Sequence, residues 1–110
     1  MTEITDMTAV EIAHGVAKGT LSAKDATRAF LDRIAALNPV VNAICTLNPQ
    51  ALDDAAAVDA RRASGEPPRP LEGVPFLVKD NIETKGLRTT FGSLTRADYI
   101  PPADSISVER

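Results

Sequence analysis

Cysteine, histidine and aromatic residues are scarce in this sequence of 110 residues, which has one cysteine, one histidine, no tryptophan and 4% aromatics. A single cysteine, Cys45, excludes an internal disulfide framework. His14 lies between apolar positions and has no aspartate or serine partner nearby, so we expect a surface or packing role for it. Histidine, cysteine and aspartate do not cluster at the spacing of a metal site, and the sequence therefore predicts no metal and no cofactor.

Long apolar runs and basic stripes are absent as well. No run approaches the ~18 apolar residues of a membrane-spanning helix. The first residues include Glu3 and Asp6 and lack the apolar core of a signal peptide. The net charge is -3, and no basic stripe suggests direct binding to nucleic acid. We therefore expect a cytoplasmic protein with no membrane segment and no direct nucleic-acid partner.

The composition is that of a globular chain, and its first part has helical patterns. Hydrophobic residues make up 44% and charged residues 25%, which argues against disorder, and a chain of 110 residues corresponds to one domain at most. Three helices are predicted, over residues 8–19, 22–38 and 49–65. Thr8 begins a capping box. Pro39 disfavours helix at the residue before it, which should end the second helix.

Two segments have the pattern of β-strands. Val41–Leu47, "VNAICTL", alternates apolar and polar residues. Val74–Lys79, "VPFLVK", is a short apolar run of the kind found in buried strands. The fold class that we predict is therefore α/β, with N-terminal helices packed beside a mixed sheet.

The last residues, "PPADSISVER", predict a helix that has hardly begun. Asp104 is placed as a helix cap, and only six residues follow it, the last of which is Arg110. So short a helix is unstable by itself, because nucleation costs more than its few hydrogen bonds return. We expect the chain to be the N-terminal piece of a longer protein.

Lys79 stands out because it ends an apolar run. Most lysines are exposed and cover apolar neighbours with their aliphatic stem, which is one interpretation of this residue. The other is a lysine at the mouth of a buried strand, where burial favours the neutral amine and allows it to act as a general base. Lowering a lysine pKa from ~10.4 to ~7 requires roughly 4–5 kcal/mol. The spacing alone does not choose between them.

The neighbours of Lys79 and the single cysteine have simpler interpretations. Asp80 either orients Lys79 or holds the loop backbone, and we expect the second, because adjacent strand residues point to opposite sides. Asn81 is expected to be a turn residue, and Cys45 a small core residue of a strand. A Schiff-base role for Lys79 lacks an accompanying phosphate-binding loop.

The segment "LEGVPFLVKDNIETKGLRTTFGS" resembles the N-terminal lysine segment of the amidase signature family. In that family a G-[IV]-P-x-x-[VIL]-K-D-N-[IF] stretch leads to a loop with T-T-x-G-S. The matching residues are Gly73, Val74, Pro75, Val78, Lys79, Asp80, Asn81, Ile82, Thr89, Thr90, Gly92 and Ser93. The upstream helical patterns and the end of the chain are also similar to the family, so the resemblance covers nearly the whole chain.

The resemblance implies a Ser–cis-Ser–Lys mechanism for cleaving carboxylic amides to an acid plus ammonia or an amine, with Lys79 as the catalytic lysine. It also implies that residues 1–110 are the N-terminal part of a single amidase domain. Residues 1–70 would be a helical region with one strand, and residues 71–110 would hold the catalytic-lysine strand, a loop and the start of the next helix. The family's Gly/Ser-rich segment with both serines is absent from the sequence, and Ser93 matches a loop position.

Three functions remain open. The first is an amidase acting on a small-molecule amide. The second is the amidase subunit of a glutamyl-tRNA(Gln)/aspartyl-tRNA(Asn) amidotransferase, in which glutamine is the amide donor and partner subunits bind the tRNA. It ranks second because the chain lacks a basic surface. The third is a non-catalytic fragment or interaction module. A homodimer and amidotransferase partner subunits are the protein partners that remain open.

Overall fold

The computed structural model describes residues 2–110. These described residues form four α-helices: α1 (Ala9–Lys18), α2 (Ala23–Val41), α3 (Ala51–Ala63) and α4 (Ile106–Glu109). Short 3-10 turns lie at Ile4–Asp6 and Leu94–Arg96. The chain divides into two compact units. The helical unit comprises the described residues of Met1–Ala43 together with Pro49–Pro75, and the loop unit comprises Ile44–Asn48 and Phe76–Arg110. Within residues 2–110, every helix is too short or too polar to span a membrane.

The ends of α1 follow from its local sequence. The Thr8 hydroxyl accepts a hydrogen bond from the backbone N–H of Glu11 at 3.2 Å, and the Glu11 carboxylate accepts one from the N–H of Thr8 at 2.7 Å. This reciprocal pair satisfies two N–H groups that have no partner within the helix, and it confirms the predicted capping box. Gly19 ends the helix in the left-handed conformation, with φ of 76°.

Helix α2 runs further than predicted. It continues through Pro39 to Val41 and ends at Asn42, whose φ is 50°. The N–H of Asn42 donates to the carbonyl of Asn38 at 2.8 Å, and the N–H of Ala43 donates to the Asn38 side chain at 2.9 Å. These bonds close the last turn and offset the bond that proline cannot make, so the predicted end before Pro39 is wrong.

The core of the helical unit is built from small and β-branched side chains. The buried residues that pack together there include Ile12, Val16, Ala23, Ala26 and Ala55. Asp59 of α3 accepts hydrogen bonds from the N–H groups of Ala23 and Lys24, at 2.7 and 3.0 Å, and so holds the first turn of α2. Alanines in the contact surface allow the helix backbones to approach closely.

Gly73 closes this core from the segment that precedes Lys79. Its φ is 88°, and a Cβ at this position would lie 2.9 Å from both methyl carbons of Val16 and 3.2 Å from Cβ of Ala23. The adjacent Glu72 is fixed as well. Its side chain is 5% exposed and accepts hydrogen bonds from Arg61 Nη2 at 2.7 Å and from the N–H of Arg69 at 3.0 Å. The Arg69 N–H, followed by the Arg61 guanidinium, lowers the pKa of Glu72.

The predicted α/β fold with a mixed sheet is wrong for the part of the chain that the structure describes. Val41 is the last residue of α2, and the rest of the predicted strand Val41–Leu47 is irregular. Val74–Lys79 has no strand partner among residues 2–110. Phe76 and Leu77 within it are 72% and 71% exposed, so the segment is not buried either. Residues 2–110 contain one isolated antiparallel bridge, Thr84 with Leu87. A strand is defined by hydrogen bonds to a neighbour, and none of the described residues supplies one to these segments.

Candidate functional site

Lys79 lies in the loop unit at the start of a turn. Its carbonyl accepts a hydrogen bond from the N–H of Ile82 at 2.9 Å, and its side chain is exposed. Within residues 2–110, no carboxylate lies within 4.0 Å of the Lys79 ammonium. Asn81, as predicted, is an exposed turn residue. The described residues therefore place the lysine in a defined turn but do not bury it.

Asp80 fixes that turn through Thr90. One Asp80 carboxylate oxygen accepts a hydrogen bond from the N–H of Thr90 at 2.8 Å, and the other accepts one from the Thr90 hydroxyl. The carbonyl of Asp80 accepts a third bond from the N–H of Phe91, at 2.8 Å. We call these three bonds the Asp80–Thr90 clasp. They confirm the prediction that Asp80 holds the loop backbone.

The clasp also shifts the acidity of Asp80. The Thr90 hydroxyl, followed by the Thr90 N–H, lowers the pKa of the Asp80 carboxyl, because both groups donate to its charged form. The Cys45 thiol and the positive charge of Arg88 lower it further. Asp80 is thus held as an ionised acceptor, with both carboxylate oxygens directed to Thr90.

Thr90 is itself held in place by its buried neighbour. Thr89 is 2% exposed, and its N–H donates to the carbonyl of Tyr99 at 2.9 Å. The Tyr99 hydroxyl donates to the Glu83 carboxylate at 2.9 Å, an interaction that raises the pKa of Tyr99. Glu83 and Tyr99 therefore connect the segment after Lys79 to the segment after Thr90. The "TTFGS" loop is therefore held by two sets of hydrogen bonds, from Thr90 to Asp80 and from Thr89 to Tyr99.

Arg88 ties residues 44–48 into the loop unit. Its guanidinium donates to the carbonyl of Ala97 at 3.0 Å and to the carbonyl of Cys45 at 3.3 Å. Cys45 is exposed, so the prediction of a small core residue in a strand is wrong. Sequence reasoning did not single out Arg88. The sequence around Arg88 gives only a weak indication of this role, since an arginine beside small polar residues is common in loops.

Phe91 and Gly92 are consecutive residues in the left-handed conformation, with φ of 56° and 67°. The Arg96 guanidinium lies 4.8 Å from the centre of the Phe91 ring and 5.1 Å from that of Tyr99. A shallow pocket of about 190 Å³ opens beside this loop, and Lys79 is not among its lining residues. The lining residues are Arg88, Thr90, Gly92, Ser93, Leu94 and Ala97.

The remaining residues considered as candidates have local structural roles. Ser93 accepts a hydrogen bond from the N–H of Thr95 at 3.3 Å and so caps the 3-10 turn that follows it. His14 is exposed on α1. Asp104 accepts from the N–H of Lys85 at 2.7 Å, while Ser105 takes the N-cap position of α4 that was predicted for Asp104. No group of residues within 2–110 has the arrangement of a metal site.

Proteins with similar sequences include amidotransferase subunits. The chain is 50% identical over 111 aligned residues to a glutamyl-tRNA(Gln) amidotransferase subunit from Salinispora arenicola, and the alignment covers 100% of this chain and 23% of that protein. It is 49% identical over 100 residues to the protein of the same name from Bdellovibrio bacteriovorus, covering 91% of this chain and 20% of that protein. The chain thus spans less than a quarter of the length of these relatives.

A solved structure and a family model also match this chain. The native peptide amidase of Stenotrophomonas maltophilia matches with a TM-score of 0.88 and 36% identity, over 94% of this chain and 22% of that chain. The model of the amidase family matches residues 25–110, a range that includes Lys79 and the Asp80–Thr90 clasp. Because this match extends over most of the sequence, the chain belongs to the amidase family.

Proposed function

We propose that residues 1–110 form the N-terminal part of a single amidase domain and that Lys79 is its catalytic lysine. Residues 1–70 are its helical region, and residues 71–110 carry the lysine, the loop and the start of the next helix. The observation that carries the proposal is the agreement between motif and geometry. The K-D-N stretch matches the family's lysine segment, and the Asp80–Thr90 clasp holds the turn directly after Lys79.

In the proposed reaction a serine hydroxyl attacks the amide carbon while Lys79 takes its proton through a second serine. The lysine then returns a proton to the leaving nitrogen, and water hydrolyses the acyl-enzyme. This needs an amine that is neutral before the attack, and burial is what favours the neutral form. Lys79 is exposed here beside the exposed Phe76 and Leu77, so we infer that residues beyond these 110 cover it.

We assign both catalytic serines to residues outside this chain. The serines present have structural partners of their own. Ser22 caps α2, Ser64 donates to the carbonyl of Arg61 at 2.8 Å, and Ser93 caps a 3-10 turn. Ser105 and Ser107 bond to each other at 3.2 Å. None of the five lies in the glycine- and serine-rich sequence that the mechanism requires.

A second candidate is the glutamine-hydrolysing component of an amidotransferase. It is favoured by sequence identity, because this chain is 50% identical to the Salinispora amidotransferase protein but 36% identical to the Stenotrophomonas peptide amidase. In this role the domain takes glutamine as the amide donor and passes ammonia on, while partner subunits bind the tRNA. The protein would then work in the cytoplasm. The net charge of -3 is consistent with leaving nucleic-acid contact to the partners.

Lys79 is tested in a chimera in which residues 1–110 replace the matching stretch of the Salinispora relative. Lys79→Ala should lower ammonia release by at least ~10²–10⁴-fold. Lys79→Arg should fail as well, because a guanidinium does not give up its proton near neutral pH. Lys85→Arg, at an exposed lysine of the same unit, is the matched control and should retain full activity.

The outcomes separate the assignments. Near-normal turnover by Lys79→Arg contradicts the role of Lys79 as a base. An unsubstituted chimera that folds but releases no ammonia from any amide contradicts the proposed function. Glutamine hydrolysis that rises when the relative's partner subunits are added supports the amidotransferase candidate. Activity on small amides that is indifferent to those subunits supports the hydrolytic amidase.

A further inference from the structure

We propose that Asp80 is a positioning residue for Lys79: it fixes the lysine backbone by clasping Thr90, and it does so without touching the ammonium. The inference rests on the proposed role of Lys79. It assigns to Asp80 and Thr90 a function in the reaction that the motif alone does not specify.

The geometry places the clasp next to the base. Asp80 follows Lys79 directly, and its carboxylate and carbonyl together accept three hydrogen bonds from Thr90 and Phe91. The bond from the Ile82 N–H to the Lys79 carbonyl, at 2.9 Å, closes the turn from the other side. The backbone of Lys79 is therefore held between two fixed points. A base must meet its proton at roughly 2.6–3.2 Å, and a misplacement of ~1 Å can cost ~10²-fold in rate.

The clasp also directs the charge of Asp80 away from the lysine. A free carboxylate beside a lysine would pair with the ammonium and favour the charged form, which cannot act as a base. Both carboxylate oxygens of Asp80 are instead bonded to Thr90, and no described carboxylate lies within 4.0 Å of the Lys79 ammonium. Thr90 thus supports the reaction by bonding the Asp80 carboxylate, which would otherwise pair with Lys79 and keep its amine in the charged form.

Thr90 has a rigid support for this role. Its neighbour Thr89 is buried, and the N–H of Thr89 donates to Tyr99 at 2.9 Å. Tyr99 in turn donates to Glu83, in the segment that follows the lysine turn. A displacement of Thr90 therefore requires breaking bonds on both sides of the loop, which makes it a firm partner for Asp80.

The test compares Asp80→Ala, Asp80→Asn and Thr90→Val in the chimera, with kcat and KM measured separately. Asp80→Ala removes the carboxylate bonds and should lower kcat by ~10²-fold with little change in KM, because the base is displaced while substrate binding persists. Asp80→Asn should restore most of kcat, since its amide can accept from the Thr90 N–H and donate to the hydroxyl. Thr90→Val keeps the N–H and loses the hydroxyl, so its kcat should lie between the two.

Asp98→Ala is the matched control, because Asp98 is an exposed aspartate of the same unit, and its kcat should be unchanged. If Lys79→Ala is inactive while Asp80→Ala is as active as Asp98→Ala, the positioning role is wrong and the proposed function stands. If Asp80→Asn is folded but as slow as Asp80→Ala, the negative charge matters and the clasp does not. If Asp80→Ala does not fold, Thr90→Val decides, and unchanged kcat in that variant overturns the inference. Full activity in Lys79→Ala overturns the proposed function itself.

Discussion

At the scale of a single residue, Gly73 is constrained both by its backbone conformation and by its contact with Val16. Its φ of 88° strains any residue that carries a Cβ, and the two methyl carbons of Val16 leave a Cβ only 2.9 Å. Gly65 has nearly the same φ, 84°, but nothing within 4 Å of its Cβ position. The pair therefore distinguishes backbone strain from overpacking.

Gly73→Ala should destabilise the chain more than Gly65→Ala. The shared backbone strain is worth roughly 1–2 kcal/mol for a left-handed residue. The contact with Val16 adds roughly 1–3 kcal/mol of overpacking to Gly73→Ala alone. Urea unfolding monitored by circular dichroism measures both. Equal losses in the two variants would mean that α1 moves aside and that Gly73 does not close the core.

At the scale of elements, the first turn of α2 depends on a residue of another helix. Ser22 caps one N–H of that turn, and Asp59 of α3 accepts from two more, those of Ala23 and Lys24. These N–H groups have no partner within α2, and a carboxylate at a helix N-terminus also interacts favourably with the helix dipole. Asp59 thus joins α2 to α3 by a contact that the pattern of α2 alone does not reveal.

Asp59→Ala should cost roughly 1–2 kcal/mol of unfolding free energy, as losses of helix caps do. Asp32→Ala, at an exposed position in the middle of α2, should change stability by less than about 0.5 kcal/mol. Chemical denaturation of the two variants side by side provides the comparison. A loss in Asp59→Ala no greater than that in Asp32→Ala would show that water replaces the carboxylate without cost.

At the scale of the whole molecule, the two units are stabilised by different interactions. The helical unit has an apolar core that includes Ile12, Val16 and Ala26. The loop unit buries few residues, among them Thr89 and Pro101, and depends on hydrogen bonds such as the Asp80–Thr90 clasp and those of Arg88. It also exposes large apolar side chains, with Phe76 at 72% and Leu94 at 95%. Apolar groups exposed in this way commonly mark surfaces that other parts of a protein cover.

The purified chain of residues 1–110 should release no ammonia from glutamine or from small amides. A base without a nucleophile or oxyanion donors cannot form an acyl-enzyme, and loss of one donor alone costs ~10²–10³-fold. An ammonia-release assay on the purified chain, with Lys79→Ala as the control, measures this. Release that survives purification and disappears in Lys79→Ala would place the nucleophile within these residues and contradict our assignment of the serines.

Local chemistry made part of this structure predictable. The capping box of Thr8 and Glu11, the cap at Ser22 and the end of α1 at Gly19 depend on residues within one helical turn, and the structure has all of them. The family resemblance likewise rests on a continuous stretch around Lys79, and the family match over residues 25–110 confirms it. The role of Lys79 in catalysis remains a prediction.

Only the tertiary structure decided the features that need partners distant in sequence. A strand exists only when another segment bonds to it, so the patterns of 41–47 and 74–79 could not establish a sheet, and the described residues form none. Asp80 finds its partner ten residues away, and Arg88 reaches Cys45 across 43 positions. The sequence by itself thus determined both ends of α1, the start of α2 and the motif, because these depend on neighbouring residues. The tertiary structure decided the partners of Asp80 and Arg88 and the conformation of segments 41–47 and 74–79, because these depend on contacts between distant parts of the chain.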